Sequence, residues 1–370
     1  MVVAVTPNFD VDAMLDDLAA LVNVESPSHD VAALAVSAAV VAELLERRTG
    51  VAPEIVDGPA GPHVHWRGGG TPRVLVVGHH DTVFPLGTLA RRPFAVSDGK
   101  ATGPGVFDMK SGVVLAVHAV AALDDASGVE LLWTADEEVG SRTSRALIEE
   151  RAQACGNVLV LEPSADGGAL KTGRKGTGTF QVEIGGRAAH AGLEPEKGVN
   201  ALVEAAHQVL TIAAFADPGA ATTVTPTVAA AGTADNVVPA AASVHVDVRV
   251  ARMDEAARVE SLMAGLAPVD PAARVTVSGG VNRPPMDVGA SAALFDLARR
   301  VATDAGLPEP LGVAVGGGSD GNFTAALGIP TLDGLGAVGG GAHADHEWVD
   351  VTALPGRASL LAGLLRALTS

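Results

Sequence analysis

A single cysteine, Cys155, in 370 residues excludes a disulfide framework and leaves no thiolate pair for a metal. Tyrosine is absent and aromatic residues make up 3% of the chain, too few for platforms on which nucleic-acid bases stack. Positive charge is scarce as well. Lys and Arg number 25 against 43 Asp and Glu, a net charge of −18, so a nucleic-acid partner is not expected. No apolar run is long enough for a bilayer, and no membrane partner is expected. The longest, residues 31–45, is broken by Ser37 and Glu43 and reads as a buried helix. Residues 1–12 lack the basic n-region of a signal peptide, so a cytoplasmic location is expected. What the chain has is hydrophobic mass, 48% of its residues, enough for two domains or one large domain with an insertion. Any metal must be held by His, Asp and Glu.

Helix and strand signals alternate in the first part. Asn8 is placed to cap a helix reaching about Leu21, and Asp30 to cap one that stops near Gly50. Residues 73–78 (RVLVVG) form a short apolar run expected to be a buried strand. Residues 110–123 read as helix, and 129–134 and 157–161 as strands. This alternation predicts an α/β fold with a doubly wound, mostly parallel sheet. From Thr177 the pattern changes. A strand at 179–184, a helix at 199–215, strands at 222–230 and 243–250, a helix at 254–266 and a strand at 274–278 give the order βαββαβ of a ferredoxin-like unit. Gly279-Gly280 and Arg283-Pro284-Pro285 mark its end. The expected organisation is a discontinuous larger domain, 1–177 and 288–370, carrying an inserted α+β domain, 178–287.

Five clusters of His and carboxylate sit at or near the ends of these strands, where open α/β sheets bind ligands. They are His79-His80-Asp81, Asp108 in GPGVFDMK, Asp136-Glu137-Glu138, Glu162 in LEPS, and His343 and His346 in GAHADHE. Each has an ordinary reading: a surface His pair, an Asp capping a helix, a solvated acidic turn. Together they offer nitrogen and oxygen ligands without thiolates, a set that suits zinc, or cobalt or manganese in its place. A carboxylate with two oxygens can bridge two such ions. Of adjacent glutamates, one can bind metal while the other moves a proton. Gly316 to Gly321 (GGGSDG) lacks the GK[ST] ending of a phosphate loop.

These motifs, in this order along nearly the whole chain, resemble the co-catalytic di-zinc exopeptidases, the family of bacterial glutamate carboxypeptidase, acetylornithine deacetylase, succinyl-diaminopimelate desuccinylase and aminoacylase. GHHDTVFP, GPGVFDMKSG, TADEEVGS, LEPS, GRAAHAG, GVNALVEA, DVR, GGGSDG and GAHADHEWV carry the likeness. HHDTVFP and HAGLEPEKGVNALVEA place it in the glutamate carboxypeptidase branch. The resemblance implies two zinc ions per subunit, one on His79 and Glu162, the other on Glu138 and His343, with Asp108 bridging. It implies Glu137 as general base and Asp81 as the residue that orients His79, with His80 and His346 as bystanders. It further implies that His190 polarises the scissile carbonyl from a partner subunit, that Arg249 clamps the substrate carboxylate beside Asn236, and that Gly317 and Gly318 line the cleft. The inserted domain is then a lid through which a homodimer forms. From the residues alone, Arg249 reads better as an ion pair with Asp247 or Asp254.

One position departs from the family. A lysine that reads an acidic substrate side chain is replaced near Ala169, with Lys171, Arg174 and Lys175 close by. The expected activity is hydrolysis of an amide that releases a C-terminal amino acid, glutamate or similar, from a peptide or N-acyl conjugate. The alternatives are an N-acyl amino acid deacylase and, more remotely, a non-catalytic binding protein on the same fold.

Overall fold

Valine and leucine fill both faces of the strand Val74–His79, and this sets the architecture of the larger unit. Val74 and Val76 point into a core shared with the helices Val11–Val22, Val31–Thr49, Ser111–Ala121, Val288–Asp304 and Leu354–Thr369. Leu75 and Val77 point the other way, against Ile148, Ala152 and Cys155 of the helix Arg145–Cys155. Alternation at period 2 thus gives one strand two apolar faces, each needing a helical layer. Each fully buried Val or Leu contributes roughly 1.5–3 kcal/mol. In this computed structural model, which describes residues 9–370, the strand order is 54–56, 63–67, 129–134, 74–79, 158–160, 331–332. The last four strands run parallel, and the first two are an antiparallel edge that the sequence pattern did not signal.

Helix ends follow local chemistry. Asp10 caps Val11–Val22 by accepting the N–H groups of Asp12 and Ala13, in place of Asn8, which lies outside the described residues. Asp30 caps Val31–Thr49, and Gly50 ends it with a left-handed φ of 73°. Among the described residues no helix is long and apolar enough to cross a membrane.

The chain divides into two units: 174–285 with 316–318, and the rest. The smaller has a four-stranded antiparallel sheet in the order Thr223–Ala231, Ala241–Val250, Gly176–Gly185, Arg274–Arg283, with helices Ala201–Ala213 and Met253–Ala264 between strands in sequence. Phe180, Val182, Ile184, Val244, Val246 and Val248 form its core. The connection order is βαββαβ. The final strand does not stop at Gly279-Gly280 as the glycines suggest. It continues to Arg283, because Gly279 lets two backbones approach: a Cβ there would lie 2.2 Å from the Thr179 carbonyl oxygen. The unit's first and last strands are neighbours, with Thr177 paired to Arg283.

Candidate metal centre

The central strand ends at His79, its parallel neighbours at Thr134 and Val160. Residues just beyond these ends therefore converge. They are Asp81, the short turn Glu137–Val139, and Glu162. Asp108 arrives from an irregular turn, Val106–Lys110, ahead of the helix Ser111–Ala121. Its backbone (φ −113°, ψ 95°) is not helical and its side chain does not cap that helix, which removes the ordinary reading of this residue. His343 sits on a tight turn with φ of 62°.

The structure brings all five expected ligands together. His79 Nε2 lies 3.3 Å from Asp108 Oδ1 and 3.6 Å from Glu162 Oε1. His343 Nε2 lies 3.3 Å from Asp108 Oδ2 and 3.0 Å from Glu138 Oε2. The two oxygens of Asp108 thus face different histidines, as a bridging carboxylate requires. Ligands at about 2.0–2.1 Å from a tetrahedral zinc are about 3.3 Å from one another, so these separations fit. Asp108 Oδ1 and Glu138 Oε1 are buried without a hydrogen-bond partner, an unfavourable state that a cation relieves. Two sets of donor atoms lie close enough to share an ion, His79–Asp108–Glu138 and His79–Glu137–Glu162. Glu137 is thus within reach of an ion.

Acidic neighbours favour the charged form of two of these histidines. Burial opposes protonation of His79, but the close carboxylates of Asp108, Asp81 and Glu162 outweigh it and raise its pKa well above the usual value. Hydrogen bonds to Asp108 and Glu138 push His343 up likewise. Burial raises Glu138. His80, buried between Ser37 Oγ at 3.1 Å and the Pro62 carbonyl at 3.0 Å, is driven by desolvation down to about 4 and stays neutral, a packing residue.

Asp81 ties two loops together. His79 Nδ1 is 2.9 Å from its carbonyl oxygen and 3.3 Å from its carboxylate. The same carboxylate accepts the N–H groups of Glu137 and Glu138, each at 3.3 Å, and the hydroxyl of Ser28 at 2.7 Å. Asp81 therefore contacts both His79 and the turn carrying Glu137 and Glu138. The acidic triplet avoids self-repulsion because Asp136 turns away, accepting the N–H and hydroxyl of Thr143, each at 2.8 Å.

Two residues went unnoticed in the sequence. Asp320 of GGGSDG, buried, accepts the hydroxyls of Ser141 and Thr134 behind the acidic turn. Glu347, fully buried, accepts the N–H groups of Gly105, Phe107 and Asp108 at 3.0, 2.8 and 2.8 Å. Burial pushes its carboxyl up to about 7 against the pull of those donors.

The remaining candidates belong to the smaller unit. His190 is exposed, its Nδ1 accepting the N–H groups of Gly192 and Leu193. The Asn236 carbonyl accepts the Ala191 N–H at 2.9 Å. Arg249 lays its guanidinium fork on Asp247 (Nη2 to Oδ2 2.8 Å, Nε to Oδ1 2.9 Å), the pairing that the residues alone favoured. Arg174 Nη1 donates to the carbonyls of Gly317 and Gly318, and Lys175 Nζ to that of Ala221.

A match to the model of peptidase family M20/M25/M40 covers residues 75–367. The chain is 36% identical over 317 residues to carboxypeptidase G2 of Pseudomonas sp. (strain RS-16), covering 81% of this chain and 74% of that one. It is 29% identical to a succinyl-diaminopimelate desuccinylase of Zymomonas mobilis, over 73% and 76% of the two chains. Among solved structures, aminopeptidase PepT from Bacillus cereus aligns with a TM-score of 0.74 at 21% identity, over 98% and 99% of the chains. An M20 family metallo-carboxypeptidase from Sulfolobus solfataricus aligns at 0.73 and 16% identity, over 97% and 99%.

Proposed function

The chain belongs to peptidase family M20/M25/M40 and is a metallo-exopeptidase that hydrolyses amide bonds, and we propose that it releases a C-terminal amino acid, glutamate or similar, from a peptide or N-acyl conjugate. The observation that carries this reading is Asp108, whose two oxygens face His79 and His343 at 3.3 Å each. His79, Glu162, Asp108, Glu138 and His343 would hold a pair of divalent ions, which would supply Lewis acidity and lower the pKa of a water. We assign zinc to these positions, with cobalt or manganese as substitutes. Glu137 takes the proton of the attacking water and returns it to the departing amine. Asp81 holds His79 and the Glu137 turn in register for that transfer. His190 polarises the carbonyl from a partner subunit, and Asn236, Gly317 and Gly318 line the substrate cleft. We assign the reaction to the cytoplasm.

The departing amino acid is recognised by its α-carboxylate through Arg249, which must exchange Asp247 for the substrate. Arg249→Lys keeps the charge and loses the fork. It should raise KM about tenfold for substrates with a free α-carboxylate and much less for the matching amides. Equal losses on both would make Arg249 structural.

The acyl side is read by a cleft of about 640 Å³ next to Glu138. Pro27, Val83, Pro85, Leu86 and Val139 line it, and among the described residues no Lys or Arg does. Val83 and Leu86 are 42% and 57% exposed. Exposed apolar side chains beside a reaction centre suit an uncharged acyl group. Asp30 in the same wall opposes an acidic one. With glutamate held constant as the released amino acid, kcat/KM for N-succinyl substrate should fall roughly tenfold or more below that for N-benzoyl. Hydrolysis of none of an N-acyl amino acid panel by metal-loaded protein would sink the activity itself. Equal rates on the succinyl and benzoyl members would sink only the acyl assignment.

A further inference from the structure

We propose that Glu347 is a positioning residue for the metal centre: it fixes the main chain of residues 105–108 so that the Asp108 carboxylate spans His79 and His343. Asp108 needs such a device. Its carboxylate oxygens face His79 and His343, and Oδ1 is buried with no hydrogen-bond partner. It is not held in a helix either. Its direction must come from the backbone, and that backbone is irregular from Gly105, with φ of 71°, through Met109. Three N–H groups of this stretch converge on one carboxylate. Glu347 accepts all three, Oε2 taking Gly105 and Oε1 taking both Phe107 and Asp108. Lys110 closes the turn from the other side, donating from a buried amine to the Val24 carbonyl at 2.7 Å.

Glu347 also lies four residues after His343, on the same loop. The loop that delivers one ligand therefore grips the loop that delivers the bridge. The spacing between His343 and Asp108 is set by this grip as well as by any ion, which preorganises the pair before metal arrives.

Glu347→Gln tests the assignment. The amide keeps the volume but offers one acceptor oxygen where three N–H groups point, and its NH2 faces donors. Zinc and cobalt are titrated into metal-free protein against a competing chelator. The variant should bind about 10–100-fold more weakly than wild type, with Glu347→Asp in between. The metal-free variant should keep its far-UV circular dichroism and its cooperative melting. Unchanged metal affinity, with or without a lower melting temperature, would overturn the proposal and assign Glu347 to the fold alone. Should Glu347→Gln not fold, hydrogen exchange in metal-free wild type decides. Slow exchange at the amides of Gly105, Phe107 and Asp108 supports the grip, and fast exchange at them overturns it.

Discussion

Replacing Glu137 with Gln should leave both metals bound and remove most of kcat. The amide is isosteric, so the turn held by Asp81 persists, but it cannot take a proton. General-base losses are typically about 10²–10⁴-fold, and a base that serves both attack and departure loses more. KM should change little, because substrate contacts are untouched. The competing possibility comes from the geometry: Glu137 lies in a donor group with His79 and Glu162. If elemental analysis finds one metal equivalent missing in the variant, Glu137 is a ligand and the base must be sought elsewhere. Glu138→Gln should do the reverse, weakening metal retention, since Glu138 Oε2 stands 3.0 Å from His343.

The second large effect concerns His190, which reaches no ligand within its own unit. His190→Ala and Glu137→Ala should each be nearly inactive as homodimers. If His190 serves the partner's centre, a mixed dimer restores one complete site: the subunit that kept Glu137 receives His190 from the other. Two-fold symmetry makes the exchange reciprocal, and random mixing makes about half the dimers mixed, so roughly a quarter of wild-type activity should return. Subunits must be co-expressed or refolded together. In the smaller unit Leu202, Val203 and Leu210 are exposed on one helix. Mixed dimers that form but stay as inactive as the separate variants would confine His190 to its own subunit.

Much of this was legible in the residues. RVLVVG announces a strand apolar on both faces, and the acids and histidines after such runs land at strand ends because parallel strands present one edge. Local order does not tell which acids turn inward. Asp136 turns to Thr143, and Glu137 and Glu138 stay in the centre, because tertiary acceptors and donors divide them. Glu347 was passed over because its partners lie far back in sequence, in a turn whose unsatisfied N–H groups no spacing rule reveals. Gly279 misled for a related reason: a glycine that permits close backbone approach looks like one that breaks a strand. Arg249 shows the opposite case, where the plain reading of neighbouring charges anticipated the pair with Asp247.

The pairing of Thr177 with Arg283 brings the two ends of the segment 174–285 side by side. A Cβ on Gly176 would sit 2.8 Å from both the Arg283 oxygen and the Pro285 nitrogen. So little distance separates the two points that a tight turn of a few residues could splice them, at small loop-closure cost. The gene is therefore editable at that seam. Excision would leave a chain that retains every metal ligand named above, and a different module could be grafted in its place. The metal ligands and Arg249 are, at the level of the gene, carried on separable segments.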